Sequence, residues 1–162
     1  MNVKKETLRE SAKALLIKRG VTLDDIADLV FFLQKDYVEH LTLQVCKDNV
    51  EAVLEKREIQ NAIVTGIQLD ILAEEGKLLQ PLQEIVETDE GLYGIDEILA
   101  LGIVNVYGSI GFTNYGYIDK VKPGILAKLN SHDSGEVHTF LDDIVGAIAA
   151  AAASRLAHSL PN

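Results

Sequence analysis

The chain has 162 residues, 48% of them hydrophobic, and a formal net charge of −10. That is enough sequence for one domain with a real core, and the apolar content excludes general disorder. The acidic balance argues against a nucleic-acid partner, since phosphate neutralisation needs clustered Lys and Arg. A single cysteine, Cys46, excludes an internal disulfide and a cysteine-built zinc site. The opening MNVKKETLRESAKALL is charged throughout and lacks the apolar core of a signal peptide, so a cytoplasmic location is the expectation.

In chain order, nearly everything reads as helix. Residues 6–19 form a polar helix closed by Gly20. Thr22 is an N-cap with Asp24 and Asp25 in the favourable first turn, and Leu23, Ile26, Leu29, Val30 and Leu33 follow at helical spacing. Tyr37, Leu41 and Val45 continue such a face. Asp48 with Glu51 suggests a capping box for a next helix, whose apolar face runs through Val50, Val53, Leu54, Ile63, Ile67 and Ile71 to a stop at Gly76. Pro81 starts a short helix to Val86, and TDEGLYG is a turn before a helix beginning near Ile95. Residues 98–118 carry no charge, a length that could span a bilayer, but four glycines and two asparagines interrupt them. A buried hairpin of two helices is favoured over a span. After the loop NSHDSGE, which contains His132 and Asp133, a final helix runs from about His138 to His158. Its alanine run 149–153 lets neighbours approach closely, as in a central helix. The architecture expected is one all-α, single-domain multi-helix bundle over residues 1–162 with a central Ala-rich helix.

Charge is concentrated in residues 1–90, with 11 basic and 18 acidic groups against 4 and 7 in the remainder. The few ionisable groups of the second part sit inside apolar stretches, where a charge is costly without an ion or counter-charge. Two segments repeat a pattern, Ile95-Asp96-Glu97-Ile98-Leu99 and Leu141-Asp142-Asp143-Ile144-Val145. Each is an acidic pair in an apolar helix. Singly, such acids fit a helix N-terminus. Together they offer hard oxygen ligands suited to Mg²⁺ or Mn²⁺. Asp119-Lys120-Val121-Lys122-Pro123 adds a further carboxylate and two of the four late basic residues, natural partners of a phosphate. His138, four residues before Asp142, would share its helical face as general acid, supporting partner or ligand, or serve as a plain cap. His40 and His158 stand in no such constellation.

Three other patterns are set aside. Asp24-Asp25-Ile26-Ala27-Asp28 spells the aspartate-rich DDxxD pattern, but a capped helix start explains it. Gly111–Gly116 has phosphate-loop spacing without the lysine, since Tyr117 stands there. Cys46 lacks the arginine six positions on that a phosphatase thiolate loop needs, because residue 52 is Ala52.

The segments Tyr117–Ile125 and Leu141–Ala147 resemble the phosphatidylglycerophosphatase A family, which shows an aspartate, two residues and Lys-Pro, then a DDIVAG-like helix, with an Asp-Glu upstream. Order and spacing agree over residues 94–155, and the chain is most similar to the soluble branch found in Gram-positive bacteria. Gly116 stands where many members have arginine, and the glycine-rich N-terminal motif of membrane-bound members is missing. The resemblance implies Mg²⁺-dependent removal of phosphate from phosphatidylglycerophosphate, leaving phosphatidylglycerol. It implies metal-site candidates Asp96, Glu97, Asp119, Asp142 and Asp143, and it carries over Lys122; Lys120 is added from charge alone. The expected substrate is thus a phospholipid phosphate monoester or another phosphomonoester. Peripheral contact at the inner face of the membrane and a homo-oligomer through the small-residue helices are open expectations. The alternative is a non-catalytic helical module that binds a metal, a nucleotide or a protein.

Overall fold

A computed structural model describes residues 7–108, 110–131 and 135–160. His132, Asp133 and the first residues of the opening segment lie outside them. Among the described residues there are nine helices and no strand: α1 (Leu8–Lys18), α2 (Leu23–Gln34), α3 (Leu43–Val53), α4 (Arg57–Glu74), α5 (Leu82–Glu87), α6 (Ile95–Asn105), α7 (Ile110–Val121), α8 (Ile125–Leu129) and α9 (Leu141–Ser159).

Local chemistry accounts for the starts of the first helices. Thr7 and Glu10 form a capping box on α1, and Thr22 and Asp25 form one on α2. Gly20 and Gly76 take positive φ after α1 and α4, a conformation glycine adopts without steric cost.

Several expectations need correction. Helix α2 stops at Gln34, so Tyr37, Leu41 and Val45 do not extend its face; Tyr37 is 82% exposed and Val45 belongs to α3. The cap of α3 is Thr42, whose hydroxyl accepts from the Val45 amide at 3.2 Å, whereas Asp48 lies mid-helix and accepts from Gln44. What reads as one apolar face from Val50 to Ile71 is two helices, broken after Val53 with no glycine or proline to mark the break. The last helix begins at Leu141, so His138 is not on it.

Helix α9 is the axis of the molecule. It packs against α2, α3, α4, α6, α7 and α8, and every residue from Leu141 to Ser154 is buried. Its alanine run is what permits this, because a residue of small cross-section lets several helices reach van der Waals distance at once. The pair α6–α7 covers one side, but it is not the buried hairpin expected. Ile98, Ile110, Tyr117 and Val121 are 47–63% exposed. Among the described residues no helix is long and apolar enough to cross a membrane.

Close packing at two glycines gives opposite expectations. A methyl group at Gly66 would overlap Ile144 Cδ1 and lie 2.9 Å from Leu99 Cδ2 and 3.1 Å from Phe140 Cβ. Overpacking costs about 1–3 kcal/mol, against a helix gain of about 0.5–1 kcal/mol from replacing glycine. Gly66→Ala should therefore lose stability. A methyl group at Gly146 meets nothing closer than 3.7 Å, so Gly146→Ala should keep the gain. Urea melts of both variants check this, and a common sign would contradict the packing argument.

Candidate functional site: an acidic cleft with one lysine

Three helix ends meet at one open cleft of about 200 Å³. The start of α6 brings Asp96 and Glu97, the end of α7 brings Asp119 with Lys122 just beyond it, and the start of α9 brings Asp142 and Asp143. All six line the cleft, together with Asp89, Glu90, Gly91 and Asn130. Two of the sequence candidates do not line it: Lys120 is exposed, and His138 stands outside the cleft wall.

The two acids of α9 are buried, Asp142 8% and Asp143 7% exposed, and Asp96 is 9% exposed. Burial pushes both α9 carboxyls well above the usual aspartate range. For Asp143 the charge of Asp142 and a hydrogen bond to the Asp96 carboxyl push further the same way. A bond between two carboxyls needs a proton on one of them. Asp142 accepts from the Asp143 amide at 2.8 Å and is restrained by Lys122, while Asp89 and Asp119 raise it.

Lys122 is the only lysine or arginine among the residues lining the cleft. Its Nζ lies 2.9 Å from Asp119 Oδ1 and 3.5 Å from Asp142 Oδ2. Partial burial opposes its charge, but the bond to Asp119 and the charges of Asp142 and Asp143 outweigh that, so its pKa lies above the ordinary lysine value. Lys122 has φ 49°, a left-handed conformation uncommon for a side-chain-bearing residue. It follows the end of α7, and its ammonium reaches back three residues to Asp119.

Residues that the sequence reading missed complete the site. Asp70, wholly buried in α4, accepts from the amides of Phe140 (2.9 and 3.2 Å) and Leu141 (2.9 Å) and so caps α9 from another helix. Tyr115 is 6% exposed, and its hydroxyl is buried with no hydrogen-bond partner among the described residues. Its ring packs beside Gly146, one turn inward of Asp143, and burial together with the charges of Asp143 and Asp119 raises its pKa. Thr139 anchors the approach to α9 through its hydroxyl, which donates to the Val86 carbonyl at 2.6 Å.

His138 is held elsewhere. Its Nδ1 pairs with the Leu129 carbonyl at 3.1 Å and its Nε2 with Glu136 at 2.7 Å.

Among the described residues no three His, Cys, Asp or Glu side chains are already gathered to hold an ion. The donor set nevertheless fits a hard divalent cation. It consists of carboxylate oxygens without sulfur or imidazole, and two of its members are buried at a cost that positive charge would offset.

These observations define a helical protein whose central helix delivers two buried acids to a lysine-bearing acidic cleft. The model of the family "Phosphatidylglycerophosphatase A" matches residues 13–158, and the chain belongs to that family. It is similar to the low temperature requirement C protein of Listeria monocytogenes, a crystal structure with 72% identity and TM-score 0.93, covering 96% of this chain and 98% of that one. A protein of unknown function from Bacillus stearothermophilus is 61% identical with TM-score 0.94, covering 99% and 100%. The uncharacterized protein YutG of Bacillus subtilis (strain 168) is 65% identical over 151 residues, 93% of this chain and 91% of that protein.

Proposed function

We propose that the cleft hydrolyses a phosphomonoester with the help of Mg²⁺ or Mn²⁺, and that the substrate is a lipid phosphate monoester of the phosphatidylglycerophosphate type. The observation that carries this reading is the meeting of Asp96, Glu97, Asp119, Lys122, Asp142 and Asp143 on one cleft in a member of this family. Asp142, Asp143 and Asp96, with Glu97 and Asp119 at the rim, would hold the cation. A divalent cation bound there supplies Lewis-acid polarisation of the phosphoryl group.

The chain's own groups do the rest. Lys122 neutralises charge on the phosphoryl oxygens, an electrostatic role that is strongest when the group is fixed beforehand. Asp119 fixes it through the 2.9 Å ion pair. Asp70 holds the first turn of α9, and with it Asp142 and Asp143, in place. The Tyr115 hydroxyl, within electrostatic reach of Asp143 and Asp119, is a buried donor with no hydrogen-bond partner among the described residues. The exposed apolar side chains of α6 and α7, on the helices that carry Asp96, Glu97 and Asp119, support a surface contact with lipid.

The test is phosphate release from phosphatidylglycerophosphate in mixed micelles, with Mg²⁺, with Mn²⁺ and with chelator. Cation-dependent release is expected, falling roughly 10²-fold or more in Lys122→Met, the scale of losing one fixed charge-stabilising donor. Absence of release from this lipid and from soluble phosphomonoesters, with cation present, would overturn the reading in favour of a non-catalytic module.

A further inference from the structure

Tyr115 carries a donor that no contact in the fold uses. The residue is 6% exposed, and its hydroxyl oxygen is buried with no hydrogen-bond partner among the described residues. A buried tyrosine hydroxyl ordinarily finds an acceptor, and leaving it without one is unfavourable. Burial, and then the charges of Asp143, Asp119, Asp142 and Glu97, raise its pKa, so the group keeps its proton and stays a donor.

Its position narrows the choice of acceptor. On α7, Tyr115 precedes Asp119 by one turn; on α9, Gly146 follows Asp143 by one turn. The two helices pack against each other. A methyl group built on Gly146 would stand 3.7 Å from Tyr115 Cε2, so the ring lies against α9 one turn from Asp143. The same point is 3.7 Å from Ile118 Cγ2 and 3.8 Å from Leu126 Cδ1. Those walls are aliphatic and accept nothing, which leaves the acids. Asp142 already takes the Asp143 amide at 2.8 Å and Lys122 at 3.5 Å, and Asp119 takes Lys122 at 2.9 Å. Glu97 is exposed and served by water. Asp143 is 7% exposed, and among the described residues its carboxyl is hydrogen-bonded to another acid, Asp96, and to no basic or neutral donor. A donor without an acceptor and a carboxylate without a donor thus share one stretch of the α7–α9 interface.

We infer that Tyr115 is a positioning residue of the cation site: its hydroxyl donates to the ionised Asp143 carboxylate and fixes the orientation in which that carboxylate holds a divalent cation. The inference rests on the proposed cation-assisted reading and deepens it. The phenol touches neither cation nor substrate. It acts through Asp143, as the hydrogen-bonding partners of ligating carboxylates do.

The experiment compares wild type, Tyr115→Phe and Tyr117→Phe. Phenylalanine at 115 keeps the ring and removes only the oxygen. Tyr117 is the control, 54% exposed and stacked on Phe32. Mn²⁺ and Mg²⁺ are titrated by calorimetry, tyrosine absorption is followed through the same titrations, and Tm is measured with chelator. Tyr115→Phe is expected to bind the cation roughly 10–100-fold more weakly, the scale of losing a group that supports a ligand. Its Tm with chelator should be level or higher, because an unpaired buried hydroxyl is gone. Wild type and Tyr117→Phe should show a red shift of one tyrosine on cation addition, as expected for a phenol donating to a carboxylate, and Tyr115→Phe should not. A hydroxyl with a structural role alone would lower the Tm with chelator and leave cation affinity unchanged. Equal affinity in Tyr115→Phe and wild type, with the same difference spectrum in all three proteins, overturns the inference while the cation site stands. If wild type takes up neither cation, the proposed cation site falls and the role of Tyr115 falls with it.

Discussion

Asp143→Asn should leave the cation-free protein as stable as wild type or more so, and should remove most of the stabilisation that Mg²⁺ or Mn²⁺ confers. Asp143 is 7% exposed, faces the Asp96 carboxyl and sits beside Asp142, so its ionised form is opposed by burial and by like charge. An amide removes that conflict at nearly constant volume. If the same carboxylate is a cation ligand, its loss should weaken binding at least as much as the roughly 10–100-fold typical for loss of a supporting partner. A ligand at a hundredfold excess over its Kd stabilises by about 2.7 kcal/mol, and hundredfold weaker binding leaves about 0.4 kcal/mol. For a chain of this size that is a fall of several degrees in the cation-induced shift of Tm, at about 2–4 °C per kcal/mol. A purely helix-terminal acid would behave in the opposite way. Its removal would lower the cation-free Tm, by about 0.3–1 kcal/mol of macrodipole stabilisation, with no cation dependence. Thermal melts of wild type, Asp142→Asn and Asp143→Asn, with chelator and with millimolar cation, separate the two. Lower cation-free stability with an unchanged cation response in both variants would remove the basis for a metal site.

Asp70→Ala is expected to be among the most damaging single changes outside the cleft. It orphans the buried amides of Phe140 and Leu141, at about 1–3 kcal/mol each, so a loss of about 2–6 kcal/mol follows. Asp70→Asn tests a different property, because it keeps an acceptor and abolishes titration. Burial raises the Asp70 pKa to about 8, with the two amides pulling the other way. The unfolded value is about 3.9. A folded-state pKa above the unfolded one means that this group's contribution is fully present below about pH 4 and is lost as pH rises toward 8. Urea melts of wild type and Asp70→Asn at pH 5 and pH 8 measure it. The difference should move in favour of the asparagine variant at the higher pH. A pH-independent difference would show that the carboxyl is ionised throughout this range.

The contrast between these two aspartates indicates what a sequence can disclose. Asp142 and Asp143 stand out because they interrupt an apolar run, and burying charge in such a run needs a reason. The alanine run of α9 likewise announces a helix approached from many sides. Asp70 is separated by 70 residues from the amides it caps, so no local capping pattern points to it. A weaker signal was present: Asp70 lies three residues beyond Ile67 and seven beyond Ile63, on the buried face of α4. Tyr115 was absorbed into an apolar segment because its hydroxyl matters only through α9. The break between α3 and α4 was missed because Leu54, Glu55 and Lys56 contain no residue that forbids a helix. His138 was assigned by helical spacing to a helix that begins three residues later, and its ring turns to Leu129 and Glu136 instead.

The burial of α9 has a consequence for the way the molecule breathes. Amide protons between Ile144 and Ser154 are buried under the six helices that pack on α9, so their deuterium uptake is expected to follow global unfolding. Asp142 and Asp143 sit at the head of that buried segment, whereas Lys122 belongs to the short corner between α7 and α8. The two most buried acids of the cleft are thus attached to the backbone expected to be best protected. Occupancy of the cleft should therefore be recorded as slower exchange at the corner that carries the lysine, residues 119–125, rather than along α9.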